Sequence, residues 1–234
     1  MAGCAAAMLF TLERADLALG RVPFTAERSR QLIAPSAHVW QFDAATGAGG
    51  ATLLAWTEGT TSENPRNHAY VQRFDTAGGP IGVPVQLDVV VPLVDGYETR
   101  GGPREVYVAY SPGSRSWLVA VQWDFCAPAR CVLPVYVYQV NADGALVGDG
   151  RKVAGDAEAV TVAFACASAS CALVSSNYGR STLDVVALSA DGAPLGPAHR
   201  LASTANSNDH YSARIVGTGS GFLAGYTYGN AGNA

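Results

Sequence analysis

Hydrophobic and polar residues alternate along most of this chain in short runs that end in glycine turns. The clearest example is residues 182–196, where the alternating run TLDVVALS passes into the turn ADGAPLG. Related versions occur at residues 68–82 and 134–148, and a degenerate one at 9–20. Alternation with a period of two is typical of half-buried β-strands, and Asp-Gly is typical of tight turns. The pattern therefore predicts short antiparallel strands joined by hairpins.

The predicted strands form sets of four that repeat along the chain. The second strand of each set begins near residue 52, 117, 171 or 222. A repeat of about 50 residues with four antiparallel strands favours a propeller over a helical solenoid. The predicted strands are 38–42, 52–57, 70–74 and 84–91; 105–110, 117–125, 135–140 and 151–154; 159–165, 171–176, 183–189 and 199–203; and 212–217 and 222–228.

This combination of strand and turn resembles the loosely conserved blades of secreted bacterial β-propeller repeat proteins. In those blades an alternating strand ends in a turn like Asp-Gly-x-Pro-Leu-Gly, which residues 191–196 match. The resemblance covers nearly the whole chain. It implies an all-β propeller of about four four-stranded blades, and it implies no activity.

The last set contains two predicted strands, whereas the first 35 residues contain two strand-like segments, 7–12 and 24–33, without a set of their own. We predict that these N-terminal segments complete the last blade and close the ring, because closure removes unpaired strand edges. The alternative is an incomplete fragment of a larger propeller, or a half that dimerises into one. The single predicted domain divides into closing strands (1–35), blades at 36–91, 92–154 and 155–203, and a final strand pair (204–234).

The composition fits many strands and narrows the range of partners. Charged residues make up 15% of the chain, well below the roughly 25% of an average soluble protein. The net charge is −4, which provides no basic surface for phosphate backbones and disfavours nucleic acid. No apolar run approaches the roughly 18 residues of a membrane-spanning helix, so no transmembrane segment is predicted.

Four of the cysteines form two pairs with the same spacing. Cys126 and Cys131, like Cys166 and Cys171, are separated by four intervening residues, and each pair lies between two strand-like runs. Opposite positions of an antiparallel hairpin bring two cysteines within disulfide reach. Two such disulfides predict an oxidising compartment, so we expect a secreted, periplasmic or cell-surface protein. A metal site shared by both pairs is disfavoured, because the strand order places them at opposite ends.

The start of the chain allows two interpretations. Residues 2–10 are apolar and short, which suits a first strand. Alternatively, the sequence AGC at residues 2–4 resembles the end of a bacterial lipoprotein signal, in which case the true start lies upstream.

Long loops alternate with short turns, which predicts one face of the propeller as the functional face. The long connections are 58–67, 88–104 and 202–210, and long loops on a rigid scaffold are where binding residues concentrate. Their polar side chains suit a sugar, a peptide or a calcium ion, with the oxygen-rich segment 206–210 as the Ca²⁺ candidate. The candidate residues are Glu58, Glu63, Arg66, His68, Asp95, Tyr97, Glu98, Arg100, Asn206, Asn208, Asp209, His210 and Tyr211.

No catalytic motif accompanies these candidates. The chain lacks a Gly-x-Ser-x-Gly elbow and a phosphate-binding Gly-Lys-Ser/Thr loop. We therefore predict a binding or scaffolding module for an extracellular glycan, peptide or protein. The alternative is an extracellular polysaccharide hydrolase or lyase that uses carboxylates of the long-loop face, such as Asp95, Glu98 and Asp209.

The four tryptophans lie within or beside predicted strands. Large aromatic side chains in such positions are expected to fill the core between blades, and sugar-binding platforms are the alternative. These residues are Trp40, Trp56, Trp117 and Trp123.

Overall fold

The computed structural model describes residues 38–59, 68–87, 102–127, 130–154, 159–177, 182–203, 209–219 and 221–230. All of them belong to one compact unit, Pro35–Ala234. Apart from a 3₁₀ turn at Ala48–Gly50, the regular structure in these ranges consists of β-strands. They are β1 (His38–Thr46), β2 (Thr52–Gly59), β3 (His68–Phe74), β4 (Pro80–Leu87), β5 (Pro103–Ser111), β6 (Ser116–Trp123), β7 (Phe125–Ala127), β8 (Arg130–Val132), β9 (Val135–Val140), β10 (Arg151–Ala154), β11 (Ala159–Cys166), β12 (Ser170–Asn177), β13 (Thr182–Ser189), β14 (His199–Ser203), β15 (Asp209–Gly217) and β16 (Phe222–Asn230).

The strands pair in chain order into antiparallel sheets. Sheet 1 is β1-β2-β3-β4, sheet 2 is β5-β6-β9-β10 and sheet 3 is β11-β12-β13-β14. Within the described ranges, sheet 4 consists of β15 and β16, and β7-β8 is a small hairpin inserted between β6 and β9. The repeating four-stranded sheets confirm the predicted all-β architecture.

Successive sheets pack face to face, with the first strand of each sheet innermost. β1 packs against β5, β5 against β11, and β11 against β15. The central strand β6 is buried along its whole length, because Val119 and Val121 join the core shared with sheet 1 while Leu118 and Ala120 join the core shared with sheet 3. A strand covered on both faces needs a continuous apolar run, and LVAV provides it.

Three equivalent turns join the third and fourth strands of sheets 1, 2 and 3. In each, a side-chain oxygen of Asp75, Asn141 or Ser189 accepts a hydrogen bond from the backbone N–H four residues later. A glycine with positive φ follows three residues after the acceptor, as at Gly192, where φ is 84°. Asp, Asn and Ser stabilise turns in this way, and glycine adopts this backbone conformation without strain. The recurring sequence turn is thus a recurring structural unit.

Several strand predictions differ from the structure in their bounds, including 38–42, which ends four residues before β1 does, and 212–217, which starts three residues after β15 does. β4 begins at Pro80, earlier than the predicted start at Pro84, and both prolines lie inside it. An outer strand tolerates proline because the backbone groups on its outer edge form no hydrogen bonds with another strand of the sheet. The predicted strand 117–125 is divided at Asp124 into β6 and β7.

One predicted disulfide is confirmed. Cys166 and Cys171 are bonded across the turn between β11 and β12, where they are register partners. The backbones of Cys126 and Cys131 are also register partners, in β7 and β8, and their disulfide stays a prediction. The N-terminal segments 7–12 and 24–33 lie outside the described residues, so ring closure also stays a prediction. No helix in the described ranges has the length and hydrophobicity to cross a membrane.

Candidate functional site

A cavity of about 360 Å³ lies between the innermost strands of the four sheets. Small-molecule sites commonly occupy roughly 300–1,000 Å³ and combine apolar walls with a few polar groups. The described wall follows that pattern and takes residues from β1, β5, β11 and β15. These residues are Gln41, Phe42, Asp43, Val106, Tyr107, Ala163, Phe164, Arg214 and Ile215.

The innermost strands of sheets 1, 2 and 3 share an irregularity just before the cavity. Each has a register shift against its neighbour, between residues 39 and 41 in β1, 103 and 105 in β5, and 161 and 163 in β11. Such bulges bend a strand and redirect the side chains that follow. Gln41 and Ala163, the first residues after two of the shifts, lie on the cavity wall.

Two polar side chains of β1 are used to hold β5. Asp43 Oδ2 accepts a hydrogen bond from Val108 N at 2.7 Å, and its Oδ1 accepts one from Ala44 N at 2.9 Å. Gln41 Oε1 accepts one from Val106 N at 3.2 Å. These N–H groups lie on the open edge of β5, where no strand of its own sheet can pair with them. Both carboxylate oxygens of Asp43 therefore support the fold.

Tyr107 forms a polar pair beside the cavity. Its hydroxyl donates a hydrogen bond to Glu105 Oε2 at 2.6 Å. Burial raises the pKa of Tyr107 above its usual range, and the hydrogen bond and negative charge of Glu105 raise it further. Arg214 opposes this increase, while Asp43 adds to it. The phenol stays protonated at physiological pH and serves as a neutral hydrogen-bonding group.

Arg214 is the basic residue of the described wall. Its Nη1 donates to the carbonyl of the neighbouring Ala213 at 3.0 Å. The ion pairs found among the described residues, Arg151 with Asp191 and Arg200 with Asp184, do not involve it. Since the guanidinium has several further N–H donors, Arg214 can bind a ligand that enters the cavity.

Aromatic rings contribute the apolar part of the wall. Phe42 is 67% exposed, whereas Phe164 is 9% exposed. Of the tryptophans, Trp56, Trp117 and Trp123 are buried, as expected for core residues, but Trp40 is 46% exposed. The expectation of burial is therefore wrong for Trp40, the extra residue in the β1 bulge, where the irregular pairing alters the side-chain alternation.

Two candidates predicted from the long loops, Glu58 and His68, lie opposite each other on β2 and β3. Glu58 Oε2 accepts a hydrogen bond from Trp56 Nε1 at 2.9 Å, and His68 Nδ1 lies 3.1 Å from Gln86 Nε2. The His68 ring also tilts against Tyr70, which stacks on Trp56. The structure therefore brings Glu58 and His68 together in a network on sheet 1, outside the described cavity wall.

The other predicted site residues are not tested. The backbones of Asp209, His210 and Tyr211 form the start of β15. The remaining candidates lie outside the described ranges: Glu63, Arg66, Asp95, Tyr97, Glu98, Arg100, Asn206 and Asn208. The part of the chain that the structure describes contains no cluster of three or more His, Cys, Asp or Glu able to hold a metal ion. Calcium binding at 206–210 stays a prediction.

The sequence analysis did not identify the residues of the cavity wall. Gln41 lies in the predicted strand 38–42 and Arg214 in the predicted strand 212–217, whereas Asp43 follows the predicted end of the first strand. The sequence holds no signal that separates these residues from other polar positions of strands, because the packing of the sheets decides which strands lie innermost.

No protein-family model matches the chain, and no curated protein matches it. Solved structures do. An α-L-arabinanase from Penicillium chrysogenum, complexed with arabinobiose, aligns with a TM-score of 0.54 and 14% identity, covering 85% of this chain and 59% of its own. The chain has the β-propeller fold.

A second propeller structure also matches. The Dos1 propeller aligns with a TM-score of 0.44 and 13% identity over 84% of this chain and 48% of its own length. The present chain thus spans less than two thirds of either propeller. At this identity, the likeness to the arabinanase concerns the fold alone.

Proposed function

We propose that this propeller is a carbohydrate-binding module whose ligand occupies the cavity between the four innermost strands. The observation that carries the proposal is the composition of the wall, which places Gln41, Tyr107 and Arg214 beside the exposed ring of Phe42. Sugars present hydroxyl groups at their edges and C–H groups on their faces, so they need polar groups and an apolar surface close together. The arabinanase with bound arabinobiose is a precedent for a saccharide ligand on this fold.

Binding is favoured over hydrolysis because the carboxylates beside the cavity have other partners. Both oxygens of Asp43 accept backbone hydrogen bonds, and Glu105 accepts the hydroxyl of Tyr107. A catalytic acid or base must instead contact the glycosidic oxygen, the sugar or a water molecule. We also propose that the module acts outside the cytoplasm, since the Cys166–Cys171 disulfide suits an oxidising compartment.

Binding to a panel of neutral and acidic oligosaccharides, measured by isothermal titration calorimetry, tests the proposal. The Phe42→Ala variant should weaken binding at least roughly tenfold, because it removes the exposed ring of the wall. Leu195→Ala is the matched control, since Leu195 is 63% exposed against 67% for Phe42 and lies outside the described wall. Failure of every saccharide in the panel to bind overturns the proposal.

A polysaccharide hydrolase is the second candidate. Asp43 and Glu105 both raise the pKa of Tyr107 through their charge, so two carboxylates lie near one phenol. Glycoside hydrolysis generally needs two such groups. Release of reducing ends from arabinan, pectin or alginate, abolished by Glu105→Gln, would favour hydrolysis. Saccharide binding without such release would favour the binding module.

A further inference from the structure

The charged groups around the cavity differ in how many hydrogen bonds they already make within the protein. Both carboxylate oxygens of Asp43 accept backbone hydrogen bonds, and Oε2 of Glu105 accepts one from the Tyr107 hydroxyl. Arg214 makes a single hydrogen bond, to a backbone carbonyl, in the described part of the chain. The cavity therefore has a positive group with unused hydrogen-bonding capacity, although the whole chain carries a net charge of −4.

Arg214 lines the cavity from an exposed position on β15. The neighbouring residue Ala213 is 3% exposed and packs into the core shared with sheet 3, together with Val174 and Leu183. Successive side chains of a strand point to opposite faces, so burial of Ala213 directs Arg214 away from that core. The bond to the carbonyl of Ala213 restrains the guanidinium further.

We propose that Arg214 binds a carboxylate group of the ligand and makes the module specific for acidic saccharides, those that contain uronic acid residues. This inference rests on the proposed function of the cavity. A planar guanidinium can bind a carboxylate through two parallel hydrogen bonds, which gives both affinity and orientation. Gln41 and Tyr107 also line the wall, and Phe42 can cover an apolar face of the sugar.

The test compares acidic oligosaccharides with their carboxyl-reduced counterparts, which have the same ring and linkage but no charge. Trimers of galacturonate, glucuronate and mannuronate and the corresponding neutral trimers are titrated into the protein by calorimetry at low salt. At least one acidic trimer should bind on the order of 10- to 100-fold more tightly than its neutral counterpart, the range expected for a charge-assisted hydrogen bond.

Variants assign this preference to one residue. Arg214→Gln should lose the preference for the acidic trimer, and Arg214→Lys should retain part of it. Arg200→Gln is the control, because Arg200 is an exposed arginine of β14 paired with Asp184, and it should bind like wild type. Circular dichroism confirms that each variant is folded.

The possible failures are distinguishable. Equal binding of acidic and neutral trimers, or a preference that survives in Arg214→Gln, overturns this inference while the carbohydrate-binding function stands. Absence of binding by all six trimers overturns the inference, and absence of binding by the whole panel overturns the proposed function as well.

Discussion

The carboxylate of Asp43 on β1 accepts a hydrogen bond from the backbone N–H of Val108 on β5 at 2.7 Å. The two residues are 65 positions apart in the chain, and the bond joins the innermost strands of two sheets. Val108 N–H lies on an edge with no neighbouring strand in its sheet. The Asp43 side chain therefore satisfies a backbone donor that no strand of the same sheet can reach.

The Asp43→Asn variant should lower the free energy of unfolding by about 1–3 kcal/mol. The carboxylate uses both oxygens as acceptors, for Ala44 N and Val108 N, whereas Asn has one acceptor oxygen and would place an N–H₂ group against a donor. Urea unfolding at pH 7 measures the loss. Asp75→Asn is a matched control, because Oδ1 of Asp75 accepts both of its described bonds and Asn can reproduce them. Equal losses in the two variants would contradict the explanation.

Tyr107 should make stability fall in alkaline solution. Burial raises its folded-state pKa above the ordinary value of 10.0. Below pH 10 the phenol is protonated in both states, whereas above pH 10 the unfolded chain ionises first. Stability should therefore decrease with rising pH by at most about 1.4 kcal/mol per pH unit from this group.

The Tyr107→Phe variant lacks that ionisation and isolates its effect. Urea unfolding at pH 8, 9, 10 and 11 gives the free energy of unfolding of the wild type and of the variant. The difference between these two free energies should be constant up to pH 10. Above pH 10, the Tyr107→Phe variant should become more stable relative to the wild type. Parallel stability curves across the whole range would refute the predicted pKa shift.

Three glycine-to-alanine variants separate backbone strain from steric conflict. Gly192 has φ 84°, and a Cβ there would lie 2.8 Å from Val137 Cγ1, so Gly192→Ala should destabilise by more than about 2 kcal/mol. Gly148 has φ 72° and open space around it, so Gly148→Ala should cost about 1 kcal/mol. Gly196 has neither feature, and Gly196→Ala should be neutral within about 0.5 kcal/mol. Thermal unfolding of the three variants measures their stability losses, and any order other than Gly192→Ala largest and Gly196→Ala smallest would contradict this explanation.

Loss of the Cys166–Cys171 disulfide should lower stability by about 2 kcal/mol, because it closes a short loop of the unfolded chain. The double variant Cys166→Ala and Cys171→Ala removes the bond with both partners. Urea unfolding without reductant measures the change, and peptide mapping of the wild type without reductant should recover the linked pair. An unchanged unfolding midpoint in the double variant would show that the bond does not stabilise the fold.

The strands and their order were predictable because their signals are local. Alternation marks β3 and β13, and a turn with an Asp, Asn or Ser acceptor and a following glycine marks the hairpins after them. The bounds of β4 were less predictable, since proline usually starts or ends a strand and is tolerated inside this one by virtue of its outer position. The Cys166–Cys171 disulfide was predictable from two cysteines facing each other across a hairpin.

The sequence predicts a site on the long loops, and this stays a prediction because most of those residues lie outside the described ranges. Loop length directed attention to Glu58 and His68, which form a network on sheet 1. The cavity is instead lined by strand residues, and in the sequence Gln41 and Arg214 resemble any other polar position of an alternating strand. Their shared role depends on which strands are innermost and where the bulges fall.

The sequence by itself determined the β-strands, their grouping in fours and the turn chemistry, because each of these depends on residues a few positions apart. Only the tertiary structure decided that Asp43 supports the edge of β5 and that Tyr107 and Arg214 lie on the wall of one cavity. These relationships join strands from different sheets, and long-range packing of the sheets, rather than local alternation, sets the distances between them.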